Sequence, residues 1–196
     1  MTKRKIFKKL CTPERGISSN VLESVLELGV ELAREGREGR KIGTLFTVGD
    51  EENVLRFSRP LILDPLYGHP TELKRLELPE MRETVKELAQ LDGAFIVSGE
   101  GVVLSAARYL EAPVAGVQLP LGLGTRHIAA AAVSLHTKAI AVVLSASSVV
   151  RVFANGEIVG EILPELWLIG RDSLYIKKPH IEESEDEKIT VAIKEG

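Results

Sequence analysis

Cysteine is nearly missing from this chain: Cys11 is the single one among 196 residues. That excludes a disulfide framework and a cysteine-ligated metal cluster, and it suits a reducing cytoplasm. Long hydrophobic runs are missing too. No apolar stretch stays free of charge and glycine for the length that a bilayer crossing needs. Met1 to Leu10 is basic but lacks the apolar core of a signal peptide, so no membrane is expected. There is no excess of positive charge either. The net charge is -3 and no basic stripe dominates, which gives no reason to expect nucleic acid as the main partner. Internal repeats and low-complexity tracts are absent. Ser134 and Ser147 lack the His and Asp company of a hydrolase triad, and His69 and His180 have no partners at metal-ligand spacing. Trp167 reads as a core or interface anchor rather than a base-stacking platform.

What is present is the composition of a soluble globular domain, 44% apolar and 27% charged, long enough for one full core. Residues 1–18 read as a basic N-terminal arm, residues 19–165 as the domain proper, and residues 166–196 as a C-terminal extension packed on it or trailing from it. Asn20 and Glu23 suggest a capping box. Val21, Leu22, Val25, Leu26, Gly29, Val30 and Leu32 then recur at helical spacing, predicting a helix to about Arg37. Ile42 to Val48 predicts a strand, with Val54 to Phe57 as its hairpin mate. Pro60 to Pro70 reads as a loop that tucks Leu61, Ile62 and Leu63 inward and also holds Asp64 and His69. Pro79 opens a helix with Met81, Val85, Leu88 and Leu91 on its apolar face. Ile140 to Leu144 predicts a central strand buried on both faces. Val149 to Phe153 and Glu157 to Ile162, joined at Asn155-Gly156, predict a hairpin. Glu182 to Glu187 reads as a solvated acidic patch and Lys188 to Ile193 as an edge strand. Helices interleaved with hairpins give the expected fold class: a single α/β domain with a central mixed sheet and helices on its faces.

Leu91 to His127 is the stretch where chemistry concentrates. Asp92-Gly93-Ala94 sits between a helix and the strand Phe95 to Val97. The turn Ser98-Gly99-Glu100-Gly101 leads to a second strand, Val102 to Ala107, then to Tyr109-Leu110. After a glycine- and proline-rich loop comes Gly124-Thr125-Arg126-His127, with Thr125 as a plausible N-cap for an alanine-rich helix. A helix start offers backbone N–H groups to an anion, and an arginine can bridge phosphate oxygens. A hard carboxylate oxygen suits magnesium or manganese. The bland alternatives are a turn aspartate and an ordinary capped helix.

Taken together, these motifs, with a buried strand ending at Ser145, resemble the diadenylate cyclase family, whose members make cyclic di-AMP from two ATP. The resemblance runs from Val21 to Leu163, is closest from Asp92 to Ser145, and looks most like the archaeal branch. It implies that residues 19–165 are a catalytic domain and that Asp92, Arg126 and His127 are catalytic. It implies ATP contacts at Gly93, Ala94, Leu110, Gly124, Thr125, Arg126, His127 and Ser145. Asp92 is implied as the ligand of a divalent metal, Mn2+ ahead of Mg2+, and the active site as one formed between two facing subunits of a homo-oligomer. Three departures stand out. Ile128 replaces a second arginine, and Leu91 and Ala146 replace a histidine and a glutamate that serve some bacterial members as a second metal pair. Ile128 motivates the alternative of a catalytically weak or inactive nucleotide-binding module of the same fold.

Overall fold

The computed structural model describes residues 9–163, 179–184 and 189–194. In chain order come helix α1 (Ser19–Glu35), strand β1 (Thr44–Val48), helix α2 (Glu51–Arg56), a short strand β2 (Ser58–Pro60) and helix α3 (Pro79–Leu88). Strands β3 (Ala94–Val97) and β4 (Val103–Leu110), helix α4 (Thr125–His136), and strands β5 (Ile140–Leu144), β6 (Val150–Ala154), β7 (Glu157–Leu163), β8 (Pro179–Ser184) and β9 (Ile189–Lys194) follow. All the strands join one sheet in the order β2-β4-β3-β1-β5-β6-β7-β9-β8. The β1–β3 pair is parallel and the other pairings are antiparallel. The mixed sheet with helices on its faces is the expected fold class.

Alternation along the strands sorts the core into two layers. Leu22, Val25, Leu26, Leu28 and Leu32 of α1 and Met81 and Val85 of α3 meet Phe46, Val48, Val142, Leu144 and Val150 on one face. Val54 of α2 and Ala130, Ala131, Ala132 and Val133 of α4 meet Leu45, Ala94, Ile96, Val143 and Phe153 on the other. Each fully buried Leu or Val contributes roughly 1.5–3 kcal/mol, so α1 alone anchors its face firmly. Alanines in α4 let its axis lie close to the sheet. Strands β1 and β5, at the centre, are buried at every position, which is why Ile140 to Leu144 reads as a continuous apolar run.

Several local expectations are corrected. The N-cap of α1 is Ser18, without a side-chain cap bond, and the helix stops at Gly36. Asn20 therefore lies inside the helix, and no Asn20–Glu23 box forms. Residues Val54 to Phe57 are not a strand: Glu51–Arg56 is helical, Asp50 takes a left-handed conformation, and its Oδ1 accepts from Asn53 Nδ2 at 2.8 Å. That local bond, together with Val54 plugging the α4-side core, outweighs the β-propensity of the segment. Leu61, Ile62 and Leu63 are exposed, Leu63 at 95%; the loop is held instead by Leu66 and by Asp64, which accepts from Ser105 Oγ at 2.5 Å and Leu66 N at 2.9 Å. Thr125 is the first residue of α4 and Gly124 its N-cap. Strand β9 is not at the edge, since β8 pairs along its outer side. Part of the acidic stretch, Glu182 to Ser184, lies in β8, and Glu185, Asp186 and Glu187 fall outside the described residues, as do Trp167 and residues 1–8 of the basic arm.

Candidate functional site

One end of the sheet collects the implied residues. It is formed by the starts of β1 and β3, the ends of β4 and β5, and the start of α4. Asp92 lies two residues before β3, and Arg126 is the second residue of α4. Arg126 Nη2 donates to Asp92 Oδ1 at 2.8 Å across 34 positions of sequence. Both side chains face solvent, Arg126 at 42% and Asp92 at 86% exposure. An exposed pair of this kind is worth about 0–1 kcal/mol, so it does not hold the fold together. It marks two opposite charges brought to one open surface.

The neighbours explain the placement. Gly93 has φ +107°, and a Cβ there would lie 2.6 Å from the Ala107 carbonyl carbon and 2.7 Å from Arg108 N. Only glycine lets the chain cross β4 this closely, which sets Asp92 at the rim. Ala94 is buried, opposite Arg108 of β4. Two residues further along β4, about 7 Å, comes Leu110, opposite Ser58 of β2. Leu110 is half-buried in the core layer beneath α4. Gly43, just before β1, faces Arg126: a Cβ there would lie 3.1 Å from Arg126 Nη1, 3.5 Å from the Leu144 carbonyl oxygen and 3.7 Å from Ala146 N. Arg126 therefore lies beside the segment holding Ser145, whose Oγ shares a 2.6 Å hydrogen bond with Ser147 Oγ. Gly124 has φ -81°, and a Cβ there would meet nothing within 4 Å. Backbone strain does not demand glycine there; it keeps the approach to the exposed start of α4 open.

His127 turns the other way. It is 6% exposed, under α4, with its ring 6.1 Å from that of Phe153. Burial pushes its imidazole down to about 4, the Arg151 guanidinium adds to the shift, and the Gly124 carbonyl opposes it. Arg151 Nη1 lies 3.3 Å from His127 Nε2, and Arg151 Nε donates to Glu161 Oε1 at 2.6 Å. His127 is thus neutral near pH 7.

Asp92, Gly93, Ala94, Leu110, Gly124, Thr125, Arg126 and Ser145 all gather at this end, and His127 lies just beneath it. Gly43, Arg151 and Glu161 belong to the site region too and were not foreseen. Arg151 and Glu161 each left a signal, a lone charge inside an apolar run, Val149 to Phe153 and Ile158 to Leu163; Gly43 left none. Among the described residues no three His, Cys, Asp or Glu side chains group to hold a metal. Asp92 is the one exposed carboxylate among the site residues described at this rim, so it would hold a hard divalent cation only with ligands from outside this chain, and the set does not fit an all-protein cage.

The sequence profile of the family described as DAC, DisA bacterial checkpoint controller nucleotide-binding, matches residues 31–158. A diadenylate cyclase of Methanocaldococcus jannaschii is 47% identical over 144 residues, covering 73% of this chain and 45% of that protein. A diadenylate cyclase of Haloferax volcanii is 40% identical over 148 residues, covering 75% of this chain and 54% of that protein. The chain spans about half the length of these curated relatives. A solved structure described as a hypothetical membrane spanning protein from Bacillus cereus shares the fold with a TM-score of 0.52 at 22% identity, over 70% of this chain and 61% of that one. No helix among the described residues is long and apolar enough to cross a membrane.

Proposed function

Because the chain belongs to the DAC nucleotide-binding family, we propose that it is a diadenylate cyclase, a nucleotidyltransferase that condenses two ATP into cyclic di-AMP and two pyrophosphates. The observation that carries this reading is the Arg126–Asp92 contact of 2.8 Å at the open sheet end. It joins the two motifs whose chemistry the reaction needs.

In each half-reaction the 3′-hydroxyl of one ATP attacks the α-phosphorus of the other. The 3′-oxygen–phosphorus bond forms, the bond to the β-phosphate oxygen breaks, and the hydroxyl proton is lost. The reaction is symmetric, so two identical half-sites facing each other across a two-fold axis provide both attacks. A homo-oligomer with face-to-face sites is the working unit, and a lone protomer binds ATP without cyclising it. Arg126 leaves its weak pairing with Asp92 and takes the triphosphate, where charge builds on the α-phosphoryl oxygens and the leaving pyrophosphate. The free N–H groups at the start of α4, with Thr125 Oγ1 and Ser145 Oγ, complete the phosphate cradle. Gly93 and Ala94 form the wall beside the ribose, Leu110 sits against the adenine, and His127, buried behind the rim, braces the segment that holds the phosphates. Asp92 would hold a divalent cation, Mn2+ ahead of Mg2+, which when bound lowers the charge on the phosphates. Asp92 also helps activate the 3′-hydroxyl, through the metal or directly. A cytoplasmic location follows from this substrate.

Incubating the chain with ATP and Mn2+ and seeking cyclic di-AMP by mass spectrometry tests the proposal. Product from the wild type and about 10²–10³-fold less from Asp92→Asn is the expected result; full turnover in Asp92→Asn removes the assigned role. One observation favours a second reading, a nucleotide-binding module with weak or no turnover. Ile128, next to the site, is 38% exposed where resemblance would put a second cation. ATP binding without product in the same assay supports that reading.

A further inference from the structure

The cyclase reading leaves the floor of the site unused. Arg151 and Glu161 are cross-strand neighbours on β6 and β7, on the sheet face that α4 covers. Arg151 is 7% exposed and Glu161 is fully buried. Glu161 Oε1 accepts from Arg151 Nε at 2.6 Å, which fixes the plane of the guanidinium and leaves Nη1 facing His127. A guanidinium has donors only, so at the 3.3 Å contact His127 Nε2 is the acceptor. A neutral imidazole that accepts at Nε2 carries its proton on Nδ1. That atom is buried and makes no well-formed hydrogen bond among the described residues. The Gly124 carbonyl at the start of α4 also acts on the ring.

We infer that Arg151 and Glu161 are a positioning pair: they fix His127 in its Nδ1–H form and thereby set the pose of the first turn of α4, which carries Thr125 and Arg126. The consequence for turnover rests on the cyclase reading, whereas the tautomer does not. Neither Arg151 nor Glu161 touches substrate. Their effect passes through His127, which is joined to Arg126 by one peptide bond. A buried ion pair is costly to maintain where apolar side chains would serve as well, so a role in setting one geometry gives it a reason to be there.

The experiment uses the whole chain with 15N-labelled histidine. NMR reads the tautomer of His127, identified by the signal lost in His127→Gln. Arg151→Met alone takes a close hydrogen-bond partner from a buried carboxylate, so the variant read is the double substitution R151M/E161L, which removes both charges together; Arg151→Lys keeps a donor at the position. The expected result is an Nδ1–H imidazole in the wild type and in Arg151→Lys, and loss of that preference in R151M/E161L. With it, kcat for cyclic di-AMP falls on the order of tenfold or more, partly restored in Arg151→Lys. A wild-type imidazole protonated at Nε2, or an unchanged tautomer in R151M/E161L, overturns the inference. A tautomer change with turnover untouched overturns its link to the site. If the wild type makes no cyclic di-AMP while the tautomer responds as described, the cyclase reading falls and the positioning of His127 stands.

Discussion

Two arginine–carboxylate pairs bracket His127. They are alike in length and opposite in setting. Arg126–Asp92 spans 2.8 Å with both partners in solvent, whereas Arg151–Glu161 spans 2.6 Å with its side chains 8% and 0% exposed. The same hydrogen bond therefore does different work. In water the outer pair is worth about 0–1 kcal/mol and exchanges partners readily, which suits a site that must admit a triphosphate. In the interior, separating the inner pair takes a close partner from two buried charges, so it exchanges far less readily and serves to hold one geometry. A short distance by itself does not tell a binding residue from a structural one; solvent access does.

The largest effect that would break this contrast is on stability. Arg151→Met should lose about 3–5 kcal/mol in chemical denaturation, with most of it recovered in R151M/E161L. A loss below about 1 kcal/mol would place the inner pair with the outer one. Next is catalysis. Asp92→Asn should lower turnover about 10²–10³-fold while leaving the melting temperature within about 2 °C, read by product mass spectrometry and a thermal melt. A large drop in melting temperature would mean that the outer pair is structural after all.

The third effect is on acid stability and concerns the imidazole between the pairs. His127 is held at about 4 when folded, below its ordinary 6.5, so the unfolded chain binds its proton more readily. Its contribution is fully present above pH 6.5 and lost as pH falls from there towards 4, by roughly 3 kcal/mol. His127→Gln should flatten the stability–pH curve in that window. The smallest effect sharpens the contrast at the outer pair. Gly43→Ala puts a methyl against Arg126 Nη1, with 3.1 Å between the centres. That guanidinium is the end of a flexible side chain and can give way, so stability should change by about 0.5 kcal/mol or less. Apparent ATP affinity, measured by titration, should weaken a few-fold.

How much of this was legible beforehand depends on how local each determinant was. The central strand Ile140 to Leu144 and the hairpin at Asn155-Gly156 were readable because apolar continuity and turn chemistry act between near neighbours. The helix at Glu51–Arg56 was not, since Val54 earns its burial from α4, far away in the chain. The loop at Leu61 to Leu63 misled for the converse reason: a carboxylate, Asp64, anchors it through Ser105 Oγ, and its leucines stay outside. At the site, Asp92 and Arg126 stood out by motif. Arg151 and Glu161 each left the faint trace of a charge in an apolar strand, but the bond that joins them crosses between strands and could not be read.

The amino-acid order on its own determined the element types with strong local periods, the sheet-and-helix class, and the identity of the side chains able to handle phosphate. Tertiary structure alone decided that an acid and a guanidinium 34 positions apart share one rim, that the adjacent histidine faces inward, and that one arginine is solvated while another is locked. Those outcomes depend on burial and on which strands lie side by side, quantities that come into being only when distant parts of the chain exclude water together.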